Sequence, residues 1–565
     1  MHKPPQNTAL KSRTAAQMIV DALAANGLTT AFGVPGESYL AVLDAMYQSP
    51  IEFIVCRQEG GAAMMAEAVG KMTGKPGVCF VTRGPGATNA SSGVHVAQQD
   101  STPMLLFVGQ VAREFRGREA FQEVDHEKFF APLAKWAVEI DAAARVPEIV
   151  ARAIRVATQG RPGPVVISLP EDVLAEEATV PDAPVVEPAE TWPANTDMMR
   201  LQKMLAQAKK PIAIVGGSRW SEKACAALKR FADRFDMPVV ASFRRQSLFS
   251  ADNEQYAGEL ILGTNPKVFE RVKNADLVLL IGGRLGEIPT QGYELLDVPV
   301  PQMPLVHIHA EASELGRVYQ PALAIHASPN AFCAMLESVQ PPAQIPWGEW
   351  RKSARADYLE WSSEVKLHPG DVQMGTIVNW LRKNLPDNAF VTTGAGNFAV
   401  WSQRFMRFRQ FGTQLGPVSG SMGYGVPAAI AAKRLHPERV ALAFAGDGDF
   451  MMTGQELATA VQYGIGVKIV VLDNGTYGTI RMHQEREYPG RVSGTDLRNP
   501  DFAALARAYG AEGFTVSKDS EAVPALEAAF KAAGPAVIHI KIATEAISPN
   551  ATLTQIRERA LKNKS

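Results

Sequence analysis

Two short polar stretches in the last third of the chain have the residue types of a site for a divalent cation and a diphosphate. The apolar run 440–445 leads into a Gly-Asp-Gly-Asp sequence that contains Asp447, and the apolar run 467–472 ends just before Asn474. We predict that both runs are parallel strands of one sheet. Asp447 and Asn474 then point into the crevice at the carboxyl ends of the strands, where ligands of such sheets bind.

The oxygen donors of this motif suit a hard cation. A carboxylate, an amide oxygen and a nearby backbone carbonyl are ligands for Mg2+ or Ca2+, and Mg2+ commonly keeps contact with phosphate oxygens. Gly446 and Gly448 allow the backbone to approach a diphosphate closely. Thr453 and Glu456 fit a capping box, which predicts a helix N-terminus whose dipole attracts anions. The alternative is an ordinary turn in which Gly-Asp-Gly only makes a bend, but the pairing with Asn474 favours the binding site.

The composition excludes several other classes of protein. Lys and Arg number 57 and Asp and Glu number 58, so no basic field exists to hold nucleic acid or an anionic membrane. The four cysteines (Cys56, Cys79, Cys225 and Cys333) lack CxxC spacing, which argues against a disulfide scaffold and fits a reducing cytoplasm. No apolar run reaches the roughly 18 residues of a membrane helix, and residues 1–13 do not resemble a signal peptide. We therefore expect a large, soluble, cytoplasmic enzyme.

The elements that position the motif are strands alternating with helices. Dense prolines at 174–195 and 340–350 predict linkers between domains at 10–185, 195–340 and 365–550. In each domain, short apolar runs alternate with helix-like stretches, which predicts an α/β fold of three doubly wound parallel-sheet domains. The predicted strands are Thr30–Val34, Ile51–Cys56, Gly77–Thr82, Met104–Val108, Pro211–Val215, Pro238–Ala241, Asp276–Ile281, Leu305–His309, Ala389–Thr393, Val440–Ala445, Val467–Leu472 and Ala536–Ile540.

Together these motifs resemble the thiamin diphosphate enzymes of the pyruvate oxidase, acetolactate synthase and pyruvate decarboxylase superfamily. The Gly-Asp-Gly sequence followed by Asn474 resembles the cofactor motif of that family. Further blocks resemble it in the family's order, at 32–38, 57–62, 82–89, 109–111, 120–123, 161–164 and 420–427. The resemblance implies an N-terminal pyrimidine-binding domain, a central domain and a C-terminal diphosphate-binding domain, with thiamin diphosphate and Mg2+ as cofactors.

The resemblance also implies roles for individual residues around the cofactor. Glu59 would hydrogen-bond N1′ of the aminopyrimidine and promote formation of the reactive ylide; the alternative is a surface glutamate at a helix N-terminus. Met422 would wedge under the cofactor and enforce its bent shape, unless it is a core methionine. The further cofactor contacts implied are Gly36, Gly394, Ala395, Gly396, Asn397, Gly420, Gly446, Gly448 and Asp449, and the metal ligands are Asp447, Asn474 and the backbone carbonyl of Thr476.

The blocks at 109–111 and 120–123 look most like acetolactate synthase large subunits. In that branch Gln110 and Phe121 would contact the reacting centre, with Lys135 downstream as a further catalytic residue; Gln110 is alternatively a surface amide. Decarboxylases of the family generally carry adjacent histidines, and none of the ten histidines here is adjacent to another.

We therefore expect an acetolactate synthase-type carboligase. It would decarboxylate a 2-oxo acid such as pyruvate and join the enamine to a second carbonyl. The alternative is a decarboxylase or C–C lyase acting on a different 2-oxo acid. A non-catalytic relative is disfavoured by the intact Glu59, Asp447 and Asn474.

Three residues depart from the family pattern near the expected substrate. His483 stands where the family has an acceptor-recognising tryptophan, so preference for 2-oxobutyrate is not expected. Arg83 replaces a small residue and either binds a substrate carboxylate as a bidentate donor or points to solvent. Glu37 replaces a glycine and would narrow or charge the entrance.

The resemblance also bears on FAD and on assembly. The glycine pairs at 216–217 and 282–283 follow predicted strands without a GxGxxG motif, so tight FAD binding is not expected and the central domain is alternatively purely structural. The family implies a homodimer with active sites at the subunit interface, commonly a homotetramer. The sequence leaves open whether a small regulatory subunit is needed.

Overall fold

The computed structural model describes residues 10–564, and the chain divides into two compact units, Met1–Ala189 and Glu190–Ser565. In the described residues, three parallel sheets of six strands each are flanked by helices. One sheet lies in the first unit and two lie in the second. The predicted fold class, three doubly wound α/β domains, is confirmed.

The first unit has the strand order β3-β2-β4-β5-β7-β6, with a small antiparallel pair β1-β8. Its strands are β1 Arg13–Thr14, β2 Thr30–Gly33, β3 Glu52–Val55, β4 Gly77–Val81, β5 Met104–Gln110, β6 Trp136–Glu139, β7 Pro164–Pro170 and β8 Glu177–Ala178. Its helices are α1 Ala15–Ala25, α2 Leu40–Met46, α3 Glu59–Thr73, α4 Gly84–Asp100, α5 His126–Phe130, α6 Val146–Thr158 and α7 Glu171–Ala175. The strands β4, β5 and β7 are buried along their whole length, as expected for a parallel sheet covered on both faces.

The second unit begins with the sheet β11-β10-β9-β12-β13-β14. Its strands are β9 Pro211–Val215, β10 Val239–Ala241, β11 Tyr256–Glu259, β12 Leu277–Ile281, β13 Leu305–His309 and β14 Leu323–His326. The helices of this part are α8 Asn195–Gln207, α9 Glu222–Phe235, α10 Pro266–Lys273, α11 Pro329–Met335 and α12 Gly348–Ser363.

The second sheet of this unit has the order β16-β15-β17-β18-β20-β19. Its strands are β15 Phe390–Thr393, β16 Gln414–Leu415, β17 Ala441–Gly446, β18 Lys468–Asp473, β19 Glu512–Val516 and β20 Ala536–Lys541. The helices are α13 Met374–Asn384, α14 Phe398–Phe405, α15 Gly425–Leu435, α16 Asp447–Thr453, α17 Glu456–Gln462, α18 Gly478–Glu487, α19 Phe502–Ala508, α20 Asp519–Lys531 and α21 Leu553–Lys564. None of the helices in residues 10–564 is long and apolar enough to cross a membrane.

The predicted strands are all present, with ends that match the prediction or differ from it by one or two residues. Strands that the sequence analysis did not identify include the edge strands β6 and β19, which are half-exposed and therefore lack a continuous apolar run. The first proline-rich stretch, 174–195, begins with the end of α7 and with β8, and it has no helix or strand over 179–194. The second ends in α12, a helix that was not predicted, whose Tyr358 packs edge-on against Tyr256 at 4.8 Å between ring centroids.

Candidate cofactor site

A cavity of about 310 Å3 opens at the carboxyl edge of the last sheet. It lies where the adjacent strands β15 and β17 lead into loops on opposite sides of the sheet, the position at which open α/β sheets bind ligands. The buried Trp401 and the exposed Ile480 form apolar parts of its wall. Of the cofactor and metal residues predicted in the second unit, all except Gly394 line it: Ala395, Gly396, Asn397, Gly420, Met422, Gly446, Asp447, Gly448, Asp449, Asn474 and Thr476.

The predicted metal ligands come together at one side of this cavity. Asp447 Oδ1 accepts a hydrogen bond from the Gly448 N–H at 2.9 Å, and Asp447 Oδ2 accepts one from the Gly475 N–H at 3.0 Å. Burial raises the pKa of Asp447 to about 6. The Asn474 carboxamide oxygen, 3.3 Å from Thr476 N, adds a second hard oxygen donor. This donor set fits Mg2+, whose charge would favour the ionised form of Asp447.

Asn499 is a residue of this site that the sequence analysis missed. Its Nδ2 donates to Asp447 Oδ2 and to Asp473 Oδ1, both at 2.7 Å, and so bridges the ends of β17 and β18. His539 Nε2 lies 2.8 Å from the other oxygen of Asp473. Asn499 lies in a loop 52 residues after Asp447, and no spacing pattern points to it.

Glycines in the cavity wall make room for two aromatic rings and, at one position, leave open space. A Cβ atom on Gly396 or on Gly446 would lie 2.7 Å from the Phe398 ring, and one on Gly448 would lie 2.6 Å from the Tyr477 ring. Gly420 is different, because its φ of +70° requires glycine while nothing lies within 4 Å of its Cβ position. Open space for a ligand is therefore found beside Gly420 and its neighbour Met422.

The predicted capping box is wrong. The helix after β17 begins at Asp447, and Thr453 is its last residue rather than the cap of a later helix. The Thr453 hydroxyl donates to the Gly423 carbonyl at 2.6 Å, and Glu456 accepts from the Thr459 hydroxyl at 2.7 Å. Both side chains are thus committed to other partners, one of them 30 residues away.

Asp449 braces two loops of the cavity wall. Its Oδ1 accepts hydrogen bonds from the Ala395 N–H at 3.1 Å and from the Gly423 N–H at 2.8 Å. A Cβ atom on Gly394 would overlap this carboxylate, which explains the glycine there. Burial raises the pKa of Asp449 to about 7. These contacts indicate that Asp449 holds the two loops in place. This role is more indirect than the predicted contact with the cofactor.

Glu59 opens the long helix α3 in the first unit. It is half-buried, and its Oε2 accepts a hydrogen bond from Asn89 Nδ2 at 2.9 Å. Gly36 packs closely in the same unit, since a Cβ atom there would lie 2.6 Å from the Thr82 Cβ. Tight packing against Thr82 therefore explains the glycine at position 36 without any cofactor.

Gln110 is neither a surface amide nor available to an acceptor within this unit. It is fully buried, its Nε2 donates to the Val124 carbonyl at 2.8 Å, and its Oε1 accepts from the Val111 N–H at 2.9 Å. The amide nitrogen is occupied because the segment that contains Val124 folds back over it, and the amide oxygen is occupied by the N–H of the next residue. Phe121, in the turn before that segment, is 72% exposed.

Arg83 is buried and does not point to solvent. Its Nη2 contacts Glu171 Oε2 at 2.7 Å, and its Nη1 contacts Glu37 Oε1 at 3.4 Å. The guanidinium that was expected to be available to a substrate carboxylate therefore already has two carboxylates of its own chain as partners.

Lys135 and His483 are not brought to the expected positions. Lys135 precedes β6 and therefore lies at the amino edge of its sheet, whereas Glu59 follows β3 at the carboxyl edge; its Nζ donates to the Gln159 carbonyl at 2.5 Å. His483 is exposed on α18, 3.4 Å from Arg486, and does not line the cavity. The order of residues in the sequence therefore did not predict which edge of its sheet Lys135 occupies or which face of α18 His483 occupies.

Comparison with known proteins agrees with this geometry. Residues 13–129 match the N-terminal TPP binding domain of thiamine pyrophosphate enzymes, residues 198–336 match their central domain, and residues 394–540 match their C-terminal TPP binding domain.

Relatives that align over most of this chain include acetolactate synthases. The large subunit of acetolactate synthase isozyme 2 from Escherichia coli (strain K12) is 34% identical over 534 residues, which cover 93% of this chain and 95% of the relative. The large subunit from Corynebacterium glutamicum is 31% identical over 542 residues, covering 93% and 86%. Acetolactate synthase from Bacillus subtilis (strain 168) is 29% identical over 545 residues, covering 95% and 94%. The chain therefore belongs to the thiamine pyrophosphate enzyme family and is a thiamin diphosphate-dependent enzyme.

Proposed function

We propose that this chain is a thiamin diphosphate- and Mg2+-dependent carboligase of the acetolactate synthase type. It would decarboxylate a 2-oxo acid such as pyruvate and join the remaining fragment to a second carbonyl. The main support is the cavity at the β15–β17 switch point that gathers Asp447, Asn474 and the loop at Gly420. The acetolactate synthase relatives, aligned over most of the chain, favour this branch of the family.

In this proposal the protein supplies positions and proton contacts, and bound thiamin diphosphate supplies the carbon nucleophile and electron sink. Asp447, Asn474 and the Thr476 carbonyl would hold Mg2+, which neutralises charge on the diphosphate. Met422 would support the cofactor. Glu59 shares a proton with the aminopyrimidine and is poised for this by its position at the start of α3.

We also propose a homodimer, arranged in pairs as a homotetramer, in which Glu59 of one protomer completes the site of the other. The 72% exposed Phe121 and the exposed Met451 and Met452 are large apolar side chains that suit a protein interface. No disulfide joins the four cysteines, all of which lie in the described residues, and this is consistent with action in a reducing cytoplasm.

Tight FAD binding is not part of the proposal. The glycine pairs after β9 and β12 meet at the carboxyl edge of the central sheet, where a dinucleotide would enter. A Cβ atom on Gly217, whose φ is +69°, would overlap the carbonyl of Gly282, so the two loops touch through their backbones. An absorbance spectrum of the purified protein for flavin tests this point.

A specific observation favours a second candidate, a decarboxylase or C–C lyase acting on a different 2-oxo acid. Gln110 is fully buried with both ends of its amide occupied, and His483 does not line the cavity. Gln110 is thus occupied by its own chain, and His483, at the position of the family's acceptor-recognising tryptophan, does not line the cavity. Neither residue supports recognition of an acceptor carbonyl.

Product analysis by NMR decides between the two. The purified protein is supplied with Mg2+, thiamin diphosphate and pyruvate, alongside Glu59→Gln and, as a matched control, the exposed Glu148→Gln. Acetolactate from wild type and E148Q, lost in E59Q, supports the carboligase. Acetaldehyde instead supports the decarboxylase. The absence of any pyruvate turnover removes pyruvate as the donor and leads to a panel of larger 2-oxo acids.

A further inference from the structure

One peptide group in the wall of the cofactor cavity is held from both sides, by an arginine at its carbonyl oxygen and by an aspartate at its N–H. The Gly394 carbonyl oxygen accepts a hydrogen bond from Arg244 Nη2 at 2.7 Å. The N–H of the same peptide, on Ala395, donates to Asp449 Oδ1 at 3.1 Å. Because the oxygen and hydrogen of a trans peptide point in opposite directions, the two side chains together fix the plane of this peptide.

Arg244 reaches this peptide from the central sheet. It lies three residues after β10, is 3% exposed, and adopts a left-handed backbone conformation with φ of +58°, which is uncommon for a residue other than glycine. Its Nη1 also donates to the Thr393 hydroxyl at 2.7 Å. Gly416 leaves room for the guanidinium, because a Cβ atom there would overlap it. This contact is therefore accommodated by the end of β10, by the left-handed conformation of Arg244 and by the neighbouring Gly416.

Asp449 approaches from the opposite side. It comes from the first turn of α16, two residues after the metal ligand Asp447, and also accepts from the Gly423 N–H in the Gly420–Gly423 loop. The carboxylate therefore links both loops that line the cavity, and the guanidinium links one of them to the central domain.

The peptide needs this restraint because it follows a glycine. Gly394 has few steric limits on its ψ, so the Gly394–Ala395 peptide could rotate and exchange the positions of its N–H and C=O. The residues that follow, Ala395 to Asn397, line the cavity, and the Asn397 N–H is already fixed by Thr479 Oγ1 at 3.0 Å. With Arg244 and Asp449 in place, the loop is anchored at both ends.

We propose that Arg244 and Asp449 are positioning residues that preset the Gly394–Ala395 peptide for the diphosphate, so that the central domain contributes to the cofactor affinity of the C-terminal domain. The inference rests on the proposed binding of thiamin diphosphate in this cavity. Lys at position 244 keeps the charge but lacks the planar fork that reaches Thr393 and Gly394 together. Asn at position 449 keeps an oxygen that can accept both N–H groups, whereas Ala removes it.

Calorimetric titration of the apoprotein with thiamin diphosphate at fixed Mg2+ measures the effect. Arg244→Lys, Arg244→Gln and Asp449→Ala should each raise the dissociation constant at least tenfold, and Asp449→Asn should stay within threefold of wild type. The matched control is Arg355→Lys. Arg355 is another buried arginine, 8% exposed, but its Nη1 donates to the Ala251 carbonyl of the central domain at 2.8 Å. Its replacement should leave the dissociation constant within twofold of wild type.

Hydrogen exchange of the cofactor-free protein gives a second, independent measure. Peptides that cover residues 393–398 should exchange faster in R244K and D449A than in wild type. Their exchange in R355K should be the same as in wild type. Wild-type exchange and wild-type affinity in both Arg244 variants would overturn the inference. Failure of wild type itself to bind thiamin diphosphate would instead refute the proposed function, while the exchange measurement would still test the restraint on the peptide.

Discussion

Arg83 Nη1 lies 3.4 Å from Glu37 Oε1, so two residues of the first unit that depart from the family pattern contact each other. Glu171 completes the cluster at 2.7 Å. Arg83 is nearly buried while Glu37 is two-thirds exposed, so the guanidinium is the fixed centre of the group. The pair is better described as a structural cluster at the end of β4 than as a free receptor for substrate.

Arg83→Ala should therefore reduce stability and leave the KM for the 2-oxo acid within threefold of wild type. The two carboxylates are partly exposed and become hydrated, so the cost comes from the lost charged hydrogen bonds and the lost packing of the buried Arg83 side chain. Together these should lower the free energy of unfolding by about 1–3 kcal/mol. Arg145 is the matched control, because it also pairs with two carboxylates but is half-exposed; Arg145→Ala should cost about 0–1 kcal/mol. Urea unfolding and steady-state kinetics provide the measurements. A tenfold rise in KM with unchanged stability would instead assign Arg83 to substrate binding.

Asn499→Ala should weaken Mg2+ binding at least tenfold at saturating thiamin diphosphate. The variant loses the one side chain that donates to both Asp447 and Asp473, so the orientation of the proposed metal ligand is no longer fixed. Titration calorimetry with Mg2+ is the measurement. Asn274, which donates to a backbone carbonyl at the end of α10, provides the control variant Asn274→Ala. Equal Mg2+ affinity in N499A and wild type would contradict the role.

Glu485 should stabilise the fold at neutral pH and lose this effect in acid. It is fully buried and accepts hydrogen bonds from Arg557 Nε at 2.7 Å and Nη2 at 2.6 Å, joining α18 to α21. These bonds lower its pKa from the usual 4.5 to about 2. A lowered pKa in the folded state means that the stabilisation is fully present above pH 4.5 and declines as the pH falls towards 2.

The comparison of wild type with Glu485→Gln tests this titration. E485Q should melt at a lower temperature than wild type at pH 7, and the gap should narrow as the pH falls below 4.5. Glu558→Gln, on the exposed face of α21, should melt like wild type throughout. A gap between wild type and E485Q that stays constant with pH would contradict the assignment of the low pKa to Glu485.

Gly446→Ala should destabilise the protein because its new methyl group would press on the Phe398 ring. Adding Phe398→Ala should restore much of the lost melting temperature. Gly534→Ala, where nothing lies within 4 Å of the new atom, is the control. If the double variant is as unstable as G446A, the ring is not the reason for the glycine. If the double variant is stable but binds no thiamin diphosphate, the ligand also requires the glycine at position 446.

The sequence predicted those features of the fold that depend on short-range patterns of residues. Continuous apolar runs identified the central strands. Because parallel strands end at one edge, Asp447 and Asn474 were expected to share a crevice, and both line the same cavity. The same rule applied to Glu59, which does follow β3.

What the sequence could not provide is the partner of each polar side chain. Gln110 is satisfied by Val124, Arg83 by a glutamate 88 residues away, and Thr453 by a carbonyl 30 residues earlier. Each of these contacts is made by tertiary folding, and no periodicity records it. Asn499 and Arg244, which contact Asp447 and the Gly394 carbonyl, were missed for the same reason.

The contact between Arg244 and Gly394 also limits how this chain can be recombined. A chimera that joined this C-terminal domain to the central domain of a homologue without an arginine at that position would inherit the glycine loop without its guanidinium. The two domains therefore form one unit of exchange, and a crossover for domain shuffling belongs in the proline-rich stretch at 179–194, which precedes both of them.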